Sequence, residues 1–574
     1  MTERLDENTE SWPIRPWVMA AICAAAGLAF HFLTDHHYSD PPLPVWQQAA
    51  ATFVAIATLS FVLTFERVRW TWAVGFALAW GLVQALIGWF TARYNYNSTI
   101  FEWPYLSGIF AVMLAAPLFQ TVRDEGAWRF PYRRLHSHAW TDAVIGAAAL
   151  FFVGVVFLMA WLIASLFNMI GIEAIRKLLE KDWFGWMLAG FAFGSAVGLL
   201  RERDRLVATL QRLVMVIFSV LAPVLAVSLV GFLASIPFTG LGKFWNSWVP
   251  ATPMLLTAGA GATLLTNAVI GDGRDERSSN SLLRWSALVL VAVVLPLALL
   301  AAFSMQIRIG QYGWTPERIW GVVAVAVALA YGVAGWWAIW RGRTDFDDPL
   351  RPMQVKMAIG LCILALLLAL PILDFGAISA RSQLARLESG KVTAAKFDWK
   401  AMAFDFGPAG RNRLKQIAAS GPADQRELAK SALTAKESYL IEEETADRTL
   451  DRRVRLLSPD IKLTPALRKY LTGWQGCGTD VCVLTRIDER RLLLVKTEGQ
   501  GEARRLDTAV IDTEKLEERA KKDPSASVYA LDAGTGDETP AVTGVDLSRA
   551  TVEIRTVERR QAFVDGKAVG APFP

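Results

Sequence analysis

Eleven stretches of the chain are each long and apolar enough to cross a hydrocarbon layer as a helix, and no other feature limits the fold as strongly. A hydrocarbon core about 30 Å thick needs about 20 apolar helical residues. Inside it every backbone amide must be satisfied within its own segment, so the stretches read as helices. Their approximate spans are 17–33, 45–65, 72–91, 105–122, 143–167, 186–200, 213–233, 253–270, 287–303, 319–340 and 354–373. The sixth is short, and the eighth is rich in glycine and threonine.

Charge divides the chain in two. Residues 1–374 hold 26 Lys/Arg and 24 Asp/Glu, against 33 and 30 in the last 200. Of the 23 tryptophans, 21 precede residue 375, where they can anchor helix ends at the level of lipid headgroups. The expected fold is therefore an all-α polytopic membrane bundle over 17–374, preceded by a cytoplasmic tail, 1–16. After it come an extracytoplasmic helical linker region, 375–460, and a small β-rich module, 461–574. The net charge of +5 is explained by membrane topology. The expected partner is thus the lipid bilayer, with no nucleic acid.

Orientation follows from the positive residues of alternate loops. With the N-terminus inside, the inner segments hold 18 Lys/Arg and the outer loops 7. Arg123, Arg129, Arg133 and Arg134 share one inner loop; Arg201, Arg203, Arg205 and Arg212 share another. The segment before the first span carries Glu3, Asp6, Glu7 and Glu10 rather than the basic flank of a secretory leader, so that span reads as a retained anchor. An odd number of spans places the C-terminal region outside the cytoplasm, which in a bacterial cell is the periplasm beyond the inner membrane.

Cys23 and Cys362 fall inside apolar spans, whereas Cys477 and Cys482 flank a Gly-Thr-Asp turn. That short loop can close as a disulfide in an oxidising compartment. Metal binding by the pair would need two further ligands, and all five histidines precede residue 140. The disulfide is the expected state.

Between the fifth and sixth spans, Ile172, Ile175, Leu178 and Leu179 recur at helical spacing against Glu173, Arg176, Lys177, Glu180 and Lys181, the pattern of an interfacial amphipathic helix. Beyond Asp374 the apolar density falls. Residues 382–387 and 411–439 have helical composition. Strand character appears at 481–487, 491–497, 504–511, 528–532, 551–557 and 561–564, and Asp565-Gly566 reads as a hairpin turn.

Two segments carry a resemblance. Arg308-Ile-Gly-Gln-Tyr-Gly-Trp-Thr-Pro-Glu-Arg318 follows the ninth span, and Leu373-Asp-Phe-Gly-Ala-Ile-Ser-Ala-Arg-Ser-Gln-Leu-Ala-Arg386, then Gly390-Lys-Val-Thr, follows the eleventh. With the helix count, these resemble the bacterial domain-of-unknown-function 4153 (DUF4153) family of polytopic membrane proteins over roughly residues 15–440. The resemblance implies an integral inner-membrane protein. It carries no reaction, ligand or catalytic residue.

The candidate sites are two. Arg308, Tyr312, Arg318, Asp374 and Arg381 are expected to form one polar binding site, because cations retained on the disfavoured side need compensating partners. Within the same loop Thr315 is placed to cap the tenth span, with Pro316 at its first position and Gly310 and Gly313 supplying turn geometry. Asp35, His36, His37 and Asp40 concentrate carboxylates and imidazoles after the first span, either as a solvated loop or as a catalytic or metal-binding group. Glycosyltransferases that use polyprenyl-phosphate donors place an aspartate in their first external loop, and the layout is similar to theirs in outline.

Within the spans no ionisable residue is central, which argues against a proton- or ion-coupled transporter. His31, Gln84, Asn168 and Asn267 read as interhelical hydrogen-bonding groups. Pro117, Pro223 and Pro296 are candidate kinks. No phosphate-binding Gly-Lys-Ser/Thr loop, Gly-x-Ser-x-Gly elbow or His-Glu-x-x-His is present, and Asp532 to Glu538 offers too few side-chain oxygens for a calcium loop. No metal or cofactor is expected. The leading reading is a non-enzymatic envelope scaffold or sensor carrying an external module, with an envelope protein or lipid headgroup as partner. The alternatives are an enzyme on lipid-linked substrates at the outer leaflet, or a transporter.

Overall fold

The computed structural model describes residues 12–36, 43–92, 99–240, 250–394, 396–435, 447, 450–451, 453–473, 476–477, 480–498, 505–522, 547, 560–564 and 567–573. Eleven helices among them are long and apolar enough to cross a membrane, and each coincides with one expected span. They are α1 (Arg15–Thr34), α2 (Val45–Thr64), α3 (Trp70–Ala92), α4 (Thr99–Glu125), α5 (Tyr132–Met169), α7 (Asp182–Arg201), α8 (Asp204–Thr239), α9 (Ala251–Ile270), α10 (Ser281–Tyr312), α11 (Pro316–Gly342) and α12 (Asp347–Ala369). The short α6 (Ala174–Leu179) occupies the expected interfacial segment, with ion pairs Lys177–Glu173 at 2.9 Å and Arg176–Glu180 at 3.7 Å along its length.

Several helices outrun the apolar run that announced them. α10 continues to Tyr312, nine residues past the expected end, so Gly310 is helical and only Gly313, with φ of 75°, makes the turn. Thr315 stands at the N-cap position of α11 with Pro316 first, but its side chain makes no capping hydrogen bond. At the other extreme α12 stops at Ala369: Leu370 is extended at ψ 148°, as the proline that follows it requires. Helices run through Pro117, Pro223 and Pro296 without ending there.

The chain separates into two compact units, Met1–Thr239 with Ala251–Leu384 and Asp405–Ala409, and Gly240–Pro250 with Ala385–Phe404 and Gly410–Pro574. Within the first, the closest approach joins α1 to α7. Gly190, Gly194 and Gly198 recur every fourth residue on α7, and a methyl group added to any of them would collide with the backbone of Cys23, Met19 and Pro16 respectively. Gly27 of α1 meets Trp186 in the same way. Small residues at this spacing let two membrane helices touch backbone to backbone, where dispersion contact takes the place of a hydrophobic driving force.

In the second unit, α13 (Phe375–Glu388) contributes its last residues, and α14 (Gly407–Ser420) and α15 (Ala423–Thr434) follow. A four-stranded sheet comes next in the order β1 (Val454–Leu456), β2 (Cys482–Arg486), β3 (Arg491–Glu498), β4 (Arg505–Asp512). β1 lies parallel to β2 and the remaining pairs are antiparallel. β1 falls in the stretch read as a charged linker, ahead of residue 461. Between β1 and β2 runs α16 (Pro465–Thr472), begun by Pro465 and by Thr464, whose hydroxyl accepts from the Leu467 amide. After β4 comes α17 (Thr513–Lys522).

Leu467, Leu471, Leu484, Leu492, Leu494 and Ile511 close one core around Cys477 and Cys482, which are joined with their Cα atoms 5.7 Å apart. At the surface of this core Arg468 pairs with Asp451 at 2.7 Å and holds that carboxyl below the usual carboxylate range. A separate hairpin, β5 (Arg560–Val564) and β6 (Lys567–Phe573), pairs Val564 with Lys567 on either side of the expected turn. The expected strands at 528–532 and 551–557 lie outside the described residues.

Candidate functional site

The bundle has two chemically different ends. Its proximal end is the one at which α1 begins, and its distal end is the one at which α12 finishes.

At the distal end the two segments that carry the family resemblance bind each other. Gln383 of α13 donates from Nε2 to the carbonyls of Tyr312 at 2.9 Å and Trp314 at 3.0 Å, and the Ser382 hydroxyl accepts from the Trp314 amide at 3.2 Å. Arg318 donates to the carbonyls of Tyr312 and Gly313 at 3.2 and 2.7 Å, with its guanidinium 5.3 Å from the centre of the Tyr312 ring. Such a ring attracts a cation through its quadrupole. The turn between α10 and α11 is thus clasped to α13 largely through its own backbone, which otherwise would lack partners at a helix end.

Of the five residues expected in one polar site, the clasp unites Tyr312 and Arg318. Asp374 accepts the Ala377 amide at 2.8 Å as the cap of α13. Arg308 and Arg381 are exposed and have no ion pair with a described residue.

Asp374 instead lines a cavity of about 390 Å³ between the distal ends of α3, α4, α11 and α12, completed by Phe406 and Pro408. Most of the wall is apolar, with Ile87, Phe90, Leu368, Leu370 and Phe375 among its members. Trp320 also contributes, stacked on Trp103 with ring centres 5.7 Å apart and set edge-on to Phe375 at 5.4 Å. The Trp320 indole N–H is buried without an acceptor among the described residues. Thr91 directs its hydroxyl to the Gly88 carbonyl at 3.0 Å, and Asp374 is the one charged group among the described residues of the wall.

The proximal end is a belt of ion pairs that the apolar pattern did not announce. Arg123, 8% exposed, meets Glu66 at 3.1 Å and Asp124 at 2.9 Å and donates to the Thr64 carbonyl at 2.7 Å. Arg69 joins the same two carboxylates, and His138 Nε2 lies 3.0 Å from Asp124. Asp142 is held by Arg201 at 2.7 Å and by Gln120 at 2.8 Å. Between the loop that follows α9 and the start of α12, Asp347 is 1% exposed between Arg277 at 3.0 Å and Arg351 at 2.8 Å, and Arg351 also donates to the Ile270 carbonyl that ends α9. These carboxylates stand at span boundaries, where hydropathy alone assigns them to loops.

Among the other sequence candidates, Asp35 and His36 are exposed, while His37 and Asp40 lie outside the described residues. No group of three or more metal-ligating side chains occurs among the described residues. Gln84, fully buried, donates to the Tyr105 carbonyl at 2.9 Å, and Gln354 reaches Asn267, so these amides do link helices. His31 is buried beside Phe32, and Asn168 is exposed.

Eleven membrane-length helices, ion-paired at one end and hollowed by an apolar cavity at the other, define a polytopic helical membrane protein. The profile of the family described as Domain of unknown function (DUF4153) matches residues 18–403, and the chain belongs to that family. Both segments of the distal clasp lie within the match, and the four-stranded sheet lies beyond it. No curated protein and no solved structure matches the chain.

Proposed function

We propose that the chain is a scaffold or sensor of the bacterial cell envelope, in which an inner-membrane bundle carries a disulfide-bonded α+β module outside the cytoplasm. One observation carries this reading: the described membrane-length helices are odd in number, so the chain leaves the bundle at the end opposite the start of α1. The arginine-rich ion-paired belt at that start supports a cytoplasmic proximal end. The Cys477–Cys482 bond, enclosed in the core of the second unit, supports an oxidising compartment for the module. Among the described residues Asp35 and His36 are exposed and the buried carboxylates of the proximal end are paired, which favours neither the enzyme nor the transporter reading.

Reporter fusion tests the arrangement. Alkaline phosphatase joined after Leu373 is expected to be active, and a fluorescent protein that matures only in cytoplasm is expected to stay dark there. The reverse pattern would overturn the reading.

A further inference from the structure

The distal cavity has the chemistry of a lipid site, and we propose that it holds an aminophospholipid, with the primary ammonium of the headgroup on Asp374 and the first part of an acyl chain along the apolar wall. The volume of about 390 Å³ falls within the range of small-molecule pockets, roughly 300 to 1,000 Å³. Its location selects a lipid: the walls are the ends of membrane-length helices, and the rim beside Asp374 carries Ile372 and Leu373, 62% and 56% exposed. Two leucine-sized groups left open beside a carboxylate suit the boundary between headgroups and chains, where an apolar surface and a charge can both be satisfied.

Charge selects the headgroup. One oxygen of Asp374 is engaged by the Ala377 amide, and the other has no donor among the described residues. A carboxylate on a wall whose other described residues are uncharged favours a cation and disfavours an anionic lipid. A lipid whose headgroup ends in a primary ammonium answers the carboxylate while its chain covers the apolar wall. This inference goes beyond the scaffold or sensor reading and does not depend on which side of the membrane the distal end faces.

The test uses the full chain purified in detergent and native mass spectrometry with dioleoyl phosphatidylethanolamine and dioleoyl phosphatidylglycerol as probes. The wild-type chain is expected to retain the ethanolamine lipid at least about tenfold better, a difference of about 1.4 kcal/mol. Asp374→Asn keeps a side chain that caps a helix as well as aspartate does, and is expected to erase that preference. Leu370→Trp, which fills the cavity and leaves the carboxylate alone, is expected to reduce retention of the ethanolamine lipid. Equal retention of the two lipids by the wild type would overturn the proposal, and so would a preference that survives both substitutions.

Discussion

Asp142 and Arg201 show at the scale of single residues what hydropathy conceals. Residue 142 sits just before the apolar run that begins at 143, so the sequence assigns it to a loop, yet α5 has already completed ten residues by then. Its carboxylate is 13% exposed against 15% for Arg201, and Gln120 supplies the second hydrogen bond. Taking both charges from water is expensive, and leaving one without the other is worse. Arg201→Met is therefore expected to lower stability in detergent by about 3 to 5 kcal/mol. The double variant Asp142→Leu/Arg201→Met should lose clearly less than the sum of the single changes, a coupling that a thermal-unfolding double-mutant cycle measures directly. Additive losses would show that the two side chains act independently. The distal residues were legible to a different degree. Compensation of charge singled out Arg318, which meets the Tyr312 ring and two carbonyls of its own turn, contacts that no count of carboxylates reveals. Arg308 and Arg381 share the chemistry of Arg318 without sharing its neighbours, because spacing along two separate segments says nothing about which faces meet.

Among the elements, the membrane helices were the most legible feature because lipid imposes the same requirement on each of them. Their ends were less so: a hydropathy window reports where lipid stops, whereas backbone hydrogen bonding continues, as in the last turns of α10 from Met305 to Tyr312. The short sixth span illustrates another kind of signal. Its glycines dilute its hydropathy, and the same glycines, at positions 190, 194 and 198, are what admit α1 to its surface. A property that weakens the evidence for a helix in isolation strengthens its packing in the bundle. Gly194→Ala places a methyl group against the Met19 carbonyl, where neither backbone can yield without parting the pair, and is expected to destabilise the bundle by about 1 to 3 kcal/mol. Gly146→Ala on α5 supplies the control, since a methyl group there meets nothing within 4 Å and should be neutral or slightly stabilising. Equal melting temperatures for the two variants would contradict backbone contact between α1 and α7. In the second unit, β2 to β4 were visible through the strand character of their apolar runs. β1 was not, because three residues beside a run of charge carry too little pattern, and its place is set by the parallel pairing with Cys482, Val483 and Leu484.

For the whole molecule, the ion-paired belt alters what the positive residues mean. Arg69, Arg123, Arg133, Arg134, Arg201, Arg274, Arg277, Arg284 and Arg351 each contact at least one carboxylate in the folded bundle, so the finished proximal end presents far less free charge than its arginine count suggests. Orientation is decided during insertion, when lysines and arginines near each span are read and acidic residues contribute little. Pairing comes afterwards, as the spans assemble, and holds the loops at that end together. The two roles make different demands on the same residues, and only the first can be counted from sequence. Side-specific labelling separates orientation from any effect of a fused reporter. In a background carrying Cys23→Ala and Cys362→Ala, with Cys477 and Cys482 left joined, Trp128→Cys and Met169→Cys place single thiols at positions 86% and 83% exposed on opposite ends of the bundle. A membrane-impermeant maleimide applied to spheroplasts is expected to label residue 169 at once and residue 128 only after the membrane is opened. Labelling of 128 from outside would invert the whole molecule and return the module to a reducing compartment, where a short disulfide loop does not persist.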